Sequence, residues 1–150
     1  MDQAIDILRK KGLAKAAKRA GNETTEGKIK IVIDGSSAYV AVVSCETDFV
    51  SRSEAYEEML SRFIEIRKSA ASDEAAIVVA EELKASEYTL KVGENLVIKT
   101  LTKIDGAVLA SYVHSNFKQA SLIIGNDAAN ADILKQVAMH VVAASPEFLS

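Results

Sequence analysis

Residue types able to do covalent or metal chemistry are sparse in this chain: one cysteine, Cys45, and two histidines, His114 and His140. Thiol catalysis would need Cys45 folded against a histidine such as His114 as nucleophile and base. Neither histidine stands at metal-ligand spacing from Cys45 or from the other. Cys45 ends an apolar run, where a free cysteine behaves as a small hydrophobe. His140 falls inside a helical pattern, where a surface or satisfied core residue is expected. No G-x-x-x-x-G-K-[ST] or G-x-G-x-x-G run occurs, so no nucleotide, cofactor or metal is expected on the chain itself.

Recognition is the chemistry that remains. Phe49 sits in a polar junction, after Asp48 and before Ser51. One reading makes it a hydrophobic staple folded back on the next helix. The other makes it a projecting anchor, because an aromatic beside a carboxylate on a tight loop suits a protein–protein contact. Val50 is adjacent to Ser51 and offers an alternative staple, which would leave Phe49 free to point outward.

The junction lies between a strand pattern and a helix pattern. Ile29, Ile31 and Ile33 alternate with more polar neighbours, Asp34-Gly35-Ser36-Ser37 reads as a turn, and Tyr39 to Val43 is an apolar run. Residues 28–44 therefore predict a β-hairpin whose second strand is covered on both faces. Ser51 and Glu54 have capping-box spacing, and Ala55, Met59, Phe63 and Ile66 give the following helix an apolar stripe. A further helix is expected from Ser72, with Asp73 and Glu74 at its positive end, through Val78, Val79 and Leu83 to about Ala85. Strands follow at Leu96–Ile104, Val108–Val113 and Ser121–Ile124, with Asp105-Gly106 read as a hairpin turn. A last helix is predicted from Asn130 through Ile133, Val137 and Val141, stopped by Pro146.

Before all of these, residues 1–22 read as a lysine- and alanine-rich helical segment ending at Gly21-Asn22. The organisation expected is thus α+β: a linker helix over 1–22, a first ββα-type unit over 23–90 and a second, related unit over 91–150. Antiparallel strands pack against helices in each, and duplication of one ββα unit would explain the echo between them.

Composition narrows the class. The 150 residues are 49% hydrophobic and 26% charged, enough for a core, and one proline with seven glycines argues against disorder. The net charge of −3 does not favour a nucleic-acid partner. The cations Arg9, Lys10, Lys11, Lys15, Lys18 and Arg19 crowd the first segment but have no interleaved aromatic to stack on bases. A lone cysteine fits a reducing cytosol, no apolar run approaches a membrane span, and Asp2 and Asp6 stand where a signal peptide would carry positive charge. A cytoplasmic protein is expected.

Several motifs in one order resemble the elongation factor Ts family. Ser44-Cys45-Glu46-Thr47-Asp48-Phe49-Val50 is similar to its Thr-Asp-Phe-Val loop, and Ala14-Lys15-Ala16-Ala17-Lys18 to its alanine- and lysine-rich opening. Val92-Gly93-Glu94-Asn95, Ser111-Tyr112-Val113-His114, Ala138-Met139-His140-Val141 and Pro146-Glu147-Phe148 continue the match. After His114, Ser115-Asn116-Phe117-Lys118-Gln119 replaces the family's glycine-rich turn. The chain looks like an excised core or a short member. On that view weak binding and poor exchange are expected of it alone.

The resemblance implies an exchange factor, not an enzyme, that binds elongation factor Tu and accelerates GDP release during translation elongation. Thr47, Asp48, Phe49 and Val50 would be partner-binding, with Asp48 and Phe49 pressed near the partner's magnesium and phosphate site. His114 would contact another domain of the partner. A homodimer is compatible with this reading. Its rivals are a structural or oligomerisation domain with Phe49 as staple, and an RNA-binding accessory using the basic first segment.

Overall fold

The structure, a computed structural model, describes Lys10, Ala14 and residues 17–146. Lys10, Ala14 and residues 17–19 are helical and residues 20–22 form a turn that follows them; the other residues of the expected helix over 1–22 lie outside the described residues. So does the Pro146-Glu147-Phe148 motif beyond its proline.

Two strands, β1 (Glu26–Asp34) and β2 (Ser37–Cys45), form the expected hairpin around a tight turn at Gly35-Ser36. Its base is set by Gly27, whose φ of +149° and close approach exclude a side chain: an added Cβ would lie 2.2 Å from the Val43 carbonyl oxygen. Beyond β2 come a single-turn helix α1 (Asp48–Ser51) and the long helix α2 (Glu54–Ser69). The cap of α2 is Ser53, whose Oγ accepts from the Tyr56 N–H at 3.3 Å, not Ser51. Ser51 instead closes α1: it is buried and donates to the Asp48 carbonyl at 3.0 Å.

Helix α3 (Asp73–Leu83) starts at the expected cap, Ser72. It packs through small residues, Ala76 and Ala80, both fully buried, while Val78 and Val79 stay exposed. Close approach through alanines turns the β-branched residues outward, which the apolar count alone does not reveal. The helix also does not stop at Ala85. A π-helical turn over Lys84–Tyr88 carries it into α4 (Thr89–Val92), and the extra residue per turn accompanies a fully buried Tyr88. Gly93, at φ +76°, ends the run in the left-handed conformation.

Strand β3 (Leu96–Asp105) then pairs antiparallel with β2, making a three-stranded sheet in the order β1-β2-β3. The strand assigned by sequence to the second unit thus belongs to the first sheet. Asp105-Gly106 is accordingly not a hairpin turn, because β3 and β4 (Val108–Val113) lie in different sheets. It ties back to the first hairpin: Asp105 accepts from Ser37 Oγ at 2.5 Å, and the Gly106 N–H donates to the Ser36 carbonyl at 2.9 Å. β4 and β5 (Ala120–Gly125) form a two-stranded sheet covered by α5 (Ala131–Ala144), capped by Asn130 as expected. The order hairpin-then-helix occurs in both parts, and antiparallel sheets packed on helices make the fold α+β.

The main core lies between the first sheet and α2–α4. Ala41, Val43 and Cys45 point into it, alternating with half-buried Val40 and Val42, and meet Tyr56, Met59, Leu60, Phe63 and Leu101. β2 is therefore dry on its helix face and only partly covered on the other. Tyr56 donates its hydroxyl to the Val43 carbonyl at 2.5 Å, and burial pushes its ionisation upward. One polar knot sits at the edge of this core. Buried Arg67 pairs with Asp73, which also accepts from Thr102 Oγ1 at 2.5 Å and the Lys103 N–H at 3.2 Å. Burial works against the Asp73 charge, but these bonds outweigh it and hold the carboxyl below its usual range. Asp73→Ala would strand Arg67. A loss of about 2–4 kcal/mol in urea unfolding is expected, below the value for a fully enclosed pair because Asp73 is itself about a third exposed. An unchanged midpoint would remove the knot from the account of stability.

Candidate functional site

The Thr47–Val50 turn begins where β2 ends. Thr47 caps α1 through Oγ1, 3.5 Å from the Val50 N–H, and the Cys45 thiol donates to the Thr47 carbonyl at 3.2 Å. Cys45 is fully enclosed, and burial, followed by the negative Glu94 nearby, pushes its thiol up to about 11. It is a neutral packing group at physiological pH, not a nucleophile.

Residues from far along the chain hold this turn. Gly93 reverses the backbone after α4 and Glu94 follows it. One oxygen of the Glu94 carboxylate accepts from the Glu46 N–H at 3.1 Å and the Thr47 N–H at 3.0 Å; the other accepts from Thr47 Oγ1 at 2.5 Å. Asn95 completes an exchange in the opposite direction: its N–H donates to Glu46 Oε1 at 2.6 Å. The Asn95 side-chain amide reaches the Asn22 carbonyl at 2.9 Å, and Asn22 Nδ2 donates to Glu46 at 3.1 Å. The Asn95 N–H, then the Asn22 amide, hold the Glu46 carboxyl below its usual range.

Within the clamped turn the side chains separate. Val50 packs on the main core, and Phe49 is 83% exposed. With Ser53 as the cap of α2, Val50 is not in the staple position before it; it is the inward-packed residue of the pair, and Phe49 projects. Asp48 pairs with Arg52 at 3.3 Å on the surface, one helical turn apart. Thr47, Asp48, Phe49 and Val50 thus form one rigid tip with one large apolar group presented to solvent.

His114 does not join that tip. It directly follows β4, hydrogen-bonds Tyr112 through Nδ1 at 3.3 Å and opens on a separate depression with Gln119 and Met139. The loop after it does come near: Ser115 to Lys118 form one wall of a cleft of about 570 Å³ whose other wall carries Asp48, Ser51 and Arg52. His140 is exposed on α5. Among the described residues no group of three or more His, Cys, Asp or Glu is placed to hold a metal ion, and no helix is long and apolar enough to cross a membrane.

A family model described as elongation factor TS matches residues 46–150, opening on the first residue of the clamped loop. The chain belongs to the elongation factor Ts family. An elongation factor Ts of Jannaschia sp. (strain CCS1) is 34% identical over 99% of this chain and 54% of its own length. Those of Salmonella newport (strain SL254) and Salmonella typhi are each 33% identical over 99% of this chain and 52% of theirs. The chain spans about half the length of the curated relatives it matches.

Two of the elongation factor Ts motifs prove to be neighbours in space. Glu94 and Asn95, within the Val92–Asn95 motif, are the residues that hold the Thr47–Val50 turn. Sequence reasoning quoted them without giving them a role. A carboxylate directly after a left-handed glycine cap was the available signal, but its partners lie some fifty positions upstream.

Phe49→Ala should leave urea stability within about 0.5 kcal/mol of the parent, whereas Val50→Ala should cost about 1 kcal/mol, the half-buried value for the carbons removed; the reverse order would make Phe49 the staple after all. Acid should loosen the anchor. The folded Glu46 carboxyl titrates lower than the unfolded one, so its contribution is complete above about pH 4.3 and is lost as pH falls through the lower folded value. The stability gap between the parent and Glu46→Gln should narrow as pH falls below the unfolded carboxyl range, and a gap that stays flat throughout the acid titration would place the anchor elsewhere.

Proposed function

We propose that this protein is a guanine-nucleotide exchange factor that binds elongation factor Tu and promotes GDP release during translation elongation, in the cytoplasm and by protein contact, with no reaction or nucleotide site of its own. The observation that carries the reading is the 83% exposure of Phe49 on a turn anchored from both ends, in a chain of this family. Thr47 and Val50 hold the tip, Asp48 and Phe49 meet the partner, and His114 makes a further contact from the second sheet.

The mechanism is linkage. A phenyl ring entering an apolar pocket contributes about 1.5–3 kcal/mol. If that pocket opens only when helices beside the nucleotide separate, the binding energy favours the state that holds GDP weakly. Factor and nucleotide then weaken each other by one and the same ratio. Asp48 adds a carboxylate near the partner's magnesium and phosphate site, where like charge disfavours the bound nucleotide. Its pair with Arg52 is a surface pair, worth about 0–1 kcal/mol, and opposes its redirection only weakly.

The rival reading, a structural domain with Phe49 as staple, is disfavoured by the 83% exposure of Phe49. GDP release from elongation factor Tu, followed with a fluorescent analogue and the full-length protein, decides between them. Phe49→Ala should slow stimulated release about tenfold or more, equivalent to about 1.4 kcal/mol, and Asp48→Ala should slow it less, with folding intact in both. Unchanged release by folded Phe49→Ala protein would reject the assignment.

A further inference from the structure

Phe117 lies at the tip of the β4–β5 hairpin with φ +59°, in the left-handed region where an aromatic side chain is uncommon and glycine or asparagine is at ease. The backbone reason for that conformation is plain. The Phe117 N–H donates to the His114 carbonyl at 2.8 Å, and its own carbonyl accepts from the Ile29 N–H at 2.8 Å, sealing the loop to the edge of β1. Neither bond needs a phenyl ring. A glycine would make both and remove the strain.

The ring itself is 42% exposed. Its inner face is covered by Lys28, whose ammonium lies 4.7 Å from the ring centroid and whose side chain is only 11% exposed. Its outer part borders the cleft that continues to Asp48 and Arg52 at the Phe49 tip. On either side of Phe117, charge is already matched: Lys118 pairs with Glu26 at 2.7 Å, and Lys28 with Glu57 at 3.8 Å. What the cleft offers as an apolar contact is therefore the Phe117 ring, held in place by a strained backbone and a cation behind it.

We infer that Phe117 is a second aromatic contact of the surface that carries Phe49, so that the partner seats across the cleft with an apolar side chain on the Phe117 ring. The inference rests on the proposed binding of elongation factor Tu and adds to it a residue of the β4–β5 hairpin. Phe49 reaches out alone from a short turn. Phe117, fixed to the other sheet, gives the partner a second apolar point and so fixes its orientation as well as its affinity.

The test is titration of the full-length protein into nucleotide-free elongation factor Tu, with melting temperature measured for every variant. Phe117→Gly relieves the backbone and should melt at or above the parent temperature while its Kd rises about tenfold; Phe117→Asn, also at ease at this φ, should do the same. An unchanged Kd in either folded variant overturns the inference, and so does a Kd that follows melting temperature across the Gly, Asn and Leu variants, since that is the mark of a merely structural ring. Phe49→Ala, measured alongside, separates the two claims. If it weakens binding and the Phe117 variants do not, the functional reading stands and this inference falls. If the Phe117 variants weaken binding and Phe49→Ala does not, the inference stands and the role given to Phe49 falls. No binding by the parent overturns both.

Discussion

The Glu94 carboxylate is the interaction on which the rest of the site depends. Two backbone N–H groups and one hydroxyl of the 46–47 segment end on its oxygens, at a point where β2 has finished and α1 has not yet begun. Those donors have no strand or helix partner there, and leaving them unpaired in a half-buried junction would cost about 1–3 kcal/mol each. An ionised acceptor makes stronger bonds than a neutral one, and one carboxylate serves all of them. It reaches them because β3 runs beside β2, Cys45 opposite Leu96, which sets the residues just before β3 against those just after β2. The left-handed Gly93 turns the chain out of α4 in time for Glu94 to face them.

With the junction closed, helical geometry sorts the next residues. Adjacent positions on a helix point about 100° apart, so with Val50 and Ser51 both turned inward Phe49 falls on the outer side of the turn. The burial of Val50 and the exposure of Phe49 are one fact seen from two side chains. Ser51 follows as the buried hydroxyl that bonds back to Asp48, Arg52 returns to the surface, and Ser53 opens the long helix. A turn of four residues could not maintain this by its own hydrogen bonds, since isolated single turns are unstable in water. It is stable because Cys45 before it and Val50 within it pack into the core and Glu94 holds its start.

What could be read in advance divides along the same line. Periodicity and turn chemistry located β1, β2, β3 and the last helix, because the alternation at Ile29–Ile33 and the caps at Ser72 and Asn130 are local signals. The candidate tip was legible for a similar reason: an aromatic between Asp48 and a cap is odd within a few residues of itself. The misreadings are non-local. Asp105-Gly106 has the composition of a hairpin turn, yet which sheet β3 joins depends on β2, and a dipeptide carries no information about that. Val78 and Val79 marked the course of the helix but not its packed face, because only the alanines Ala76 and Ala80 fit the spacing of the neighbouring elements. Ser51 and Glu54 have the right spacing for a cap, but Ser53 is the residue directly before the observed helix start. Glu94 and Asn95 escaped because a polar clamp has no period at all.

Rigidity is also what makes a single ring effective in the proposed role. Ordering one loop residue on binding costs about 1–2 kcal/mol, and a buried phenyl ring returns about 1.5–3 kcal/mol. A flexible four-residue tip would therefore consume, in becoming ordered, more than Phe49 contributes, and nothing would remain to shift the partner toward its weak-nucleotide state. Holding Thr47 through Glu94 and seating Val50 in the core meets that cost during folding. Phe117 follows the same logic from the other sheet. Its ring is fixed by Lys28 and its backbone by Ile29 and His114, so it too meets a partner already ordered. Two preordered aromatic points on separate sheets constrain a partner's orientation only as long as the sheets keep their relation. The bond from the Ile29 N–H to the Phe117 carbonyl and the Lys118–Glu26 pair join β1 to that hairpin and so tie the second aromatic to the sheet that positions the first.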